Sequence, residues 1–181
     1  MFYLLLGLAA AASAPHSGSS MVTSLGSSNA RLCYQAAEDR ISTSQTLMTC
    51  DAALQDALVR SDLVATHVNR GILHLIAARH DQAEADFDRA LALQPEQAEA
   101  HLNKGISRYK RGDSAGAVKL MDRAIALRTI RPALAYYARG VAREDIGDIR
   151  GAYADLTQAR RLAPRWAEPP KELARYQVRS R

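Results

Sequence analysis

Residues 71–95 read GILHLIAARHDQAEADFDRALALQP, and the same skeleton returns twice. Residues 105–132 read GISRYKRGDSAGAVKLMDRAIALRTIRP, and residues 140–164 read GVAREDIGDIRGAYADLTQARRLAP. Each block opens on a glycine: Gly71, Gly105 and Gly140. Each then places an alanine (Ala83, Ala117, Ala152), a bulky apolar residue (Phe87, Met121, Leu156) and a second alanine (Ala90, Ala124, Ala159) at fixed offsets. Proline closes the first and third blocks at Pro95 and Pro164, whereas the middle block carries Thr129 there and reaches Pro132 three residues later. Recurrence at this period marks a stack of similar supersecondary units. The physical logic is that of a helical hairpin. Gly and Ala at a helix crossing remove side-chain bulk so that two backbones can approach, and larger neighbours fill the space around the contact. The stretches Ala78–Asp81, Arg111–Asp113 and Ile146–Asp148 supply turns in which Asp can cap the second helix. Proline then stops that helix by lacking an N–H and restricting its predecessor.

This pattern resembles the tetratricopeptide repeat, a helix–turn–helix unit of about 34 residues with small residues at its eighth and twentieth positions and a proline near its end. The resemblance covers residues 64–166 as units 64–97, 98–132 and 133–166. It implies an all-α, right-handed α-solenoid. Two departures stand out: the usually aromatic fourth position holds His67, His101 and Tyr136, and the usual Tyr at the eleventh holds His74, Arg108 and Arg143. A single unit cannot bury its apolar face, so the stack needs end caps. Residues 30–63 read as a degenerate amino-terminal hairpin, with helices over 30–39 and 44–60. Residues 167–181 read as a capping helix and tail, with Leu173, Tyr176 and Gln177 on one face.

Working outward, residues 1–14 read as a signal peptide: an apolar block over 1–12, too short to span a bilayer, followed by Ala12-Ser13-Ala14. No Lys or Arg precedes the block, and Pro15 follows the small residues. Residues 15–29, rich in Ser and Gly, read as a flexible leader. Export to a bacterial periplasm or to the medium is therefore the expected localisation, with no membrane span after processing. Cys33 and Cys50 are then placed to form a disulfide, closing a loop of roughly 18 residues worth about 3 kcal/mol in the chain-entropy picture. In a reducing compartment the same pair would be two small buried hydrophobes.

Composition excludes wholesale disorder: 48% of residues are hydrophobic and 24% charged. The charge is unevenly divided. Residues 1–103 carry 6 arginines and 11 carboxylates, net −5; residues 104–181 carry 18 Lys and Arg against 8 carboxylates, net +10. Arg139, Arg143, Arg150, Arg160, Arg161, Arg165, Arg175 and Arg179 form the densest cationic run. It reads first as solvated helix faces, so no nucleic-acid partner is expected. The acidic pairs Asp86/Asp88 and Glu144/Asp145 likewise read as a solvated face. No phosphate loop, dinucleotide fingerprint, nucleophile elbow or metalloprotease motif occurs, so no cofactor, metal or catalytic role is expected. His67, His74 and His101 occupy packing positions, and His80 is a turn residue.

The family likeness implies a concave groove lined by positions two, five, nine and twelve of the first helices. Here these are Ala65, Val68, Ile72 and Leu75; Glu99, Leu102, Ile106 and Tyr109; and Leu134, Tyr137, Val141 and Glu144. An apolar trough built on Val68, Ile72, Leu75, Leu102, Ile106, Tyr109, Tyr137 and Val141 would suit a peptide or amphipathic helix. The alternative is tighter packing in so short an array. Family members that grip chaperone carboxyl termini use a Lys, Arg and Asn set; here those positions hold Val68, Ile72, Leu134 and Ala138, with Asn103 alone matching. The expected function is a non-catalytic adaptor for an unidentified protein or peptide. The alternative is a structural module that self-associates weakly through its acidic and basic halves.

Overall fold

The computed structural model describes residues 27–176. The signal peptide, most of the leader, and residues 177–181 with Gln177 and Arg179 lie outside the described residues. Among those described, nine helices follow one another with no strand: α1 Ser28–Glu38, α2 Ser44–Ala53, α3 Arg60–Ile76, α4 His80–Leu93, α5 Ala98–Lys110, α6 Ser114–Ala126, α7 Pro132–Asp145, α8 Ile149–Leu162 and α9 Glu168–Leu173. The chain is an all-α solenoid. Helices α3/α4, α5/α6 and α7/α8 are its three hairpins, flanked by the α1/α2 hairpin and by α9.

The repeated small residues sit at the hairpin crossings. Ala83, Ala117, Ala152, Ala90, Ala124 and Ala159 are all buried, as are Phe87, Met121 and Leu156. A Cβ placed on Gly71 would lie 2.5 Å from the Phe87 ring, one on Gly105 3.2 Å from the Ala117 carbonyl, and one on Gly140 3.2 Å from the Ala152 carbonyl. In the second and third units the two helices therefore meet almost backbone to backbone, and in the first the Phe87 ring lies against Gly71.

Boundaries depart from the sequence expectation at the amino-terminal end. Ser28 and Asn29, read as leader, form the first turn of α1, capped by Ser27 Oγ accepting from the Ala30 N–H at 3.1 Å. Helix α2 ends at Ala53 rather than running to residue 60, and residues 60–63 belong to α3 instead. That extra turn lets the Arg60 guanidinium donate to the Leu93 carbonyl at the end of α4, tying the two ends of the hairpin together. Asp56, in the connection, accepts from the Asn29 amide at 3.2 Å. Cys33 and Cys50 form a disulfide that joins α1 to α2, with both residues inaccessible to solvent.

The three hairpin turns share one geometry with unequal chemistry. Gly112 and Gly147 adopt φ +87° and +82°, and the matching residue of the first hairpin is Ala78, at φ +57°. Asp113 and Asp148 then cap α6 and α8 by accepting from the Gly116 and Gly151 N–H groups at 2.8 and 2.9 Å. The matching residue before α4 is Arg79, which makes no side-chain cap. Copying the later turns into the first, Ala78→Gly with Arg79→Asp, is expected to stabilise the protein by about 1 kcal/mol. Relief of left-handed strain and a new cap outweigh the glycine's entropy in the unfolded chain. A thermal melt checks this; an unchanged or lower midpoint would contradict it.

The middle unit ends differently. Thr129 stands where the other units have proline and is buried; its hydroxyl donates to Glu99 Oε1 at 2.8 Å, and the Ile130 N–H donates to the same oxygen at 2.8 Å. Pro132 does not end α6. It opens α7 at the first helical position, where its missing N–H costs nothing.

Candidate functional site

The eight expected groove residues all lie on α3, α5 and α7, yet most are closed to solvent. Leu102 and Tyr137 are 0% and 1% exposed; Val68, Leu75, Ile106 and Val141 are also buried. Ile72 and Tyr109 are partly accessible, as is Leu134 beside them. An open apolar trough on these eight positions is thus corrected to a largely filled seam. The reason is local. Ala100 packs with Ala90 of α4, and Ala135 and Ala138 pack in one cluster with Met121 and Ala124 of α6, so each first helix seats on the hairpin before it and Leu75, Leu102 and Ile106 pack between helices rather than facing outward. At one end Ala36 and Ala37 of α1 pack with Leu73, Ile72 and Ile76. At the other, Leu173, Trp166 and Tyr176 close over Tyr137 and Val141.

The polar residues do more than a solvated surface would. Each signature glycine is preceded by a cation, and each cation reaches back to an aspartate on the second helix of the preceding hairpin: Arg70 to Asp51 at 2.6 Å, Lys104 to Asp88, and Arg139 to Asp122 at 2.7 Å. The two arginines make a second, buried contact within their own hairpins. Arg70 donates to Asp86 at 2.6 and 2.8 Å, and Arg139 to Asp155 at 2.6 and 2.8 Å, each in bidentate fashion. The middle unit holds Leu120 where Asp86 and Asp155 stand, and its cation is the shorter-reaching Lys104. Charge-assisted bidentate pairs are geometrically specific, so each buried aspartate fixes its arginine within its own hairpin, from where the guanidinium makes a single further contact to the preceding one. Asp86 is 2% exposed and is not part of a solvated face; Asp88 is exposed. Periodicity of the cation before glycine, at spacings of 34 and 35, was the signal that reading each charge alone misses.

The histidines join this network. His67 Nδ1–H donates to Asp86 Oδ1 at 3.0 Å, and His74 Nε2 lies 3.9 Å from Asp86 Oδ2. His101 Nε2–H donates to the Pro95 carbonyl at 2.8 Å. Among the described residues no three His, Cys, Asp or Glu side chains are gathered as a metal site. Burial pushes the Asp86 carboxyl up, but hydrogen bonds from His67 and Arg70 and the Arg70 charge outweigh it and hold it below the usual range. Burial holds the His74 imidazole below its ordinary value, against the pull of Asp86. Both shifts have the same sign for stability, because the folded state binds fewer protons than the unfolded chain as pH falls. The melting midpoint is therefore expected to decline from neutral pH as His74 protonates in the unfolded chain below about 6.5, and again below about 4 through Asp86. Burial also holds the His80 imidazole low, so His74→Gln should make the first segment shallower without abolishing it and leave the second; an identical slope between pH 7 and 5 in the variant would contradict this.

Of the cationic run, Arg139, Arg143 and Arg175 are held in ion pairs with Asp155, Asp122, Glu144 and Glu172. Arg150, Arg160, Arg161 and Arg165, on α8 and just after it, are exposed. Much of the acidic half is likewise engaged within the chain: Asp51, Asp88 and Glu96 pair with Arg70, Lys104 and Arg123 across hairpins, and Glu38 pairs with Arg131.

This arrangement has counterparts among solved structures. It is similar to the first tetratricopeptide domain of Spaghetti (RPAP3) bound to an HSP90 peptide, at 20% identity and TM-score 0.58, covering 62% of this chain and 88% of that one. It is similar to MamA from Desulfovibrio magneticus RS-1, at 20% identity and TM-score 0.65, covering 82% and 83%. It is also similar to PilW, a type IV pilus biogenesis factor, at 19% identity and TM-score 0.66, covering 80% and 66%. The chain has the tetratricopeptide-repeat fold. No family sequence profile and no curated protein sequence matches it.

At the carboxyl-terminal end of the stack α7, α8 and α9 enclose an aromatic cluster. The Tyr137 ring packs 4.7 Å from Trp166, and Tyr153 meets Tyr176 at 5.7 Å. The Tyr137 hydroxyl is buried with no hydrogen-bond partner. Burial raises the Tyr137 phenol, and Glu172 and Glu168 add to it; burial and Glu144 push Tyr176 up to about 12. Burial, then Asp145, Glu144 and Glu172, raise Tyr109. The three phenols thus stay neutral and face carboxylates. Arg175 bridges Glu144 at 2.5 Å and Glu172 at 2.7 Å.

Proposed function

We propose that this protein is an exported, non-catalytic interaction scaffold that holds a peptide or helix of a partner protein on its concave side. The carrying observation is how the chain spends its chemistry. Its buried titratable groups are consumed in aligning hairpins, while Ile72, Tyr109 and Leu134 remain half-open along one row of first helices. The Spaghetti domain binds its HSP90 peptide on a related scaffold. That ligand is not carried over, because the corresponding positions hold Val68, Ile72, Leu134 and Ala138. The Cys33–Cys50 disulfide agrees with an oxidising compartment, and the likeness to a pilus biogenesis factor agrees with a bacterial envelope.

Tyr109→Ser combined with Leu134→Ser tests the row, because both side chains are accessible and neither belongs to the sealed crossings. Tyr137, now a core residue, is unsuited to this purpose. With tagged protein and envelope extract from its own cells, the double variant should lose the wild-type partner while keeping its helical circular dichroism. Undiminished capture would overturn the reading. Mass spectrometry of the intact exported chain should show loss of an amino-terminal segment near residue 14 and an oxidised Cys pair; a full-length, reduced chain would contradict export.

A further inference from the structure

We propose that the flank of α8 marked by Ile149, Arg150, Tyr153 and Arg160 is a second docking site, and that its occupant is an acidic amphipathic helix of a partner protein. This surface is separate from the row on the first helices, so the two readings stand or fall independently.

The repeat supplies its own comparison. Helices α4, α6 and α8 begin at equivalent residues, His80, Ser114 and Ile149, so each position of α8 has counterparts at joints that are filled. In the first joint α4 receives α5. Glu84 meets Arg108 at 2.7 Å and the Ser107 hydroxyl at 3.2 Å, Asp81 pairs with Arg111, and Leu91 packs in one cluster with Ala100. In the second, the Ser114 hydroxyl donates to Asp145 of α7 at 3.1 Å, and Val118 and Ile125 pack with the cluster that holds Ala135, Ala138 and Ala142. Ser114 and Glu84 are consequently 8% and 9% exposed, whereas their counterparts on α8, Ile149 and Tyr153, are 51% and 39% exposed. Helix α9 follows α8 as a first helix would, but it is six residues long and ends at Leu173. The joint that α8 offers is therefore partly unfilled, and the interface that continues it is a helix packed as α5 and α7 are packed on α4 and α6.

Charge selects which helix. Arg150 stands where the first joint has Asp81, and Arg160 where the earlier joints have Leu91 and Ile125. Both arginines are exposed, and among the described residues neither is held by a carboxylate, whereas Arg139, Arg143 and Arg175 are. In the first joint, carboxylates on the second helix meet arginines on the arriving one; α8 presents the reverse sign, so its complement carries Asp or Glu beside a small or apolar stripe. Residues 177–181 bring Arg179 and Arg181 and no carboxylate, which is the wrong sign for this place. Ala154 lies outside the joint, since its counterparts Ala85 and Lys119 stay exposed where the joint is filled.

The probe is a fluorescein-labelled peptide of residues 98–111, the α5 stretch, carrying Arg108→Glu and Arg111→Glu, compared with the unsubstituted peptide. Each is titrated against the mature chain by fluorescence anisotropy. The acidic peptide should bind one-to-one, at least about ten-fold tighter than the native one, the scale of reversing two exposed charges. Both peptides bear the same cost of forming a short helix, so the comparison stands. Arg150→Asp with Tyr153→Glu gives α8 the residues of the first joint and should reverse the preference, tightening the native peptide about ten-fold. A gain of affinity cannot arise from unfolding. The proposal is overturned if neither peptide binds, if the two bind alike, or if the double variant leaves the preference unchanged. If Tyr109→Ser with Leu134→Ser releases the acidic peptide and the α8 variant does not, the peptide sits on the first-helix row; this proposal then fails and the scaffold reading stands. If the chain alone dimerises in sedimentation and Ile149→Ser disperses the dimer, the occupant is a second copy and the partner helix is overturned. Binding of phosphatidylglycerol vesicles with neither peptide engaged would overturn it as well.

Discussion

Ala117→Leu is expected to remove at least about 3 kcal/mol of stability, toward the upper end of what overpacking costs. Ala117 is inaccessible at the central hairpin crossing, and the facing residue is Gly105, so there is no opposing side chain to swing aside. The helices are already so close that a methyl on Gly105 would sit 3.2 Å from the Ala117 carbonyl. Three additional carbons can enter only by separating α5 from α6, which opens contacts around Met121 and Leu102 as well. In a chain of this size such a loss corresponds to a midpoint lowered by roughly 6–12 °C. Lys119→Leu, two residues away and exposed, is the control and should move the midpoint by no more than a degree or two. Equal melting of the two variants would remove the small-residue crossing from the account.

The second large effect concerns the ionic ladder. Asp155→Ala is expected to cost about 3–5 kcal/mol, because it strands charges rather than removing an isolated contact. Asp155 is 3% exposed and receives both Arg139 and Arg143. Without it, two guanidiniums remain beside an apolar hairpin interior. Asp122→Ala removes the exposed partner of the same Arg139 and should cost under about 1 kcal/mol. The molecule also contains its own repair. The middle unit pairs Leu120 with Lys104 at the corresponding positions. Asp155→Leu with Arg139→Lys should therefore recover a substantial part of the loss seen for Asp155→Ala. Denaturant melts of the four proteins check the order; if Asp122→Ala and Asp155→Ala cost the same, burial is not what gives the ladder its weight.

These two cases show which features a sequence displays and which it conceals. The crossing residues were legible because Gly, Ala and the bulky filler recur at fixed spacing, and each has one plain steric meaning. The turn before α4 was less so: Ala78 and Arg79 replace Gly and Asp, and only the φ of +57° shows that the same left-handed turn is enforced by its surroundings. The ladder was hidden because Asp86 and Asp88 differ by two residues on one helix yet face opposite environments, one sealed and one open. Separating them requires knowing the distance between α3 and α4. The apolar seam was misjudged for a related reason. Whether Leu102 faces a partner or its neighbours depends on Ala100, Ala135 and Ala138 seating each first helix against the hairpin before it, and on α1 and α9 closing the ends. Those are properties of the assembled stack. The Cys33–Cys50 pairing stood in between: spacing permitted it, and the antiparallel α1/α2 hairpin realises it.

The proposal that a partner is held along the first helices has a direct measurement. A photoreactive phenylalanine analogue is placed in living cells at Ala65, Tyr109 or Leu134 along the first helices, and at Ala85, Lys119 or Ala154, which share one exposed register position on the second helices. After irradiation, the account predicts covalent adducts to the same partner from the first set and none from the second. Adducts formed from Ala85, Lys119 and Ala154 while the first set stays silent would contradict it.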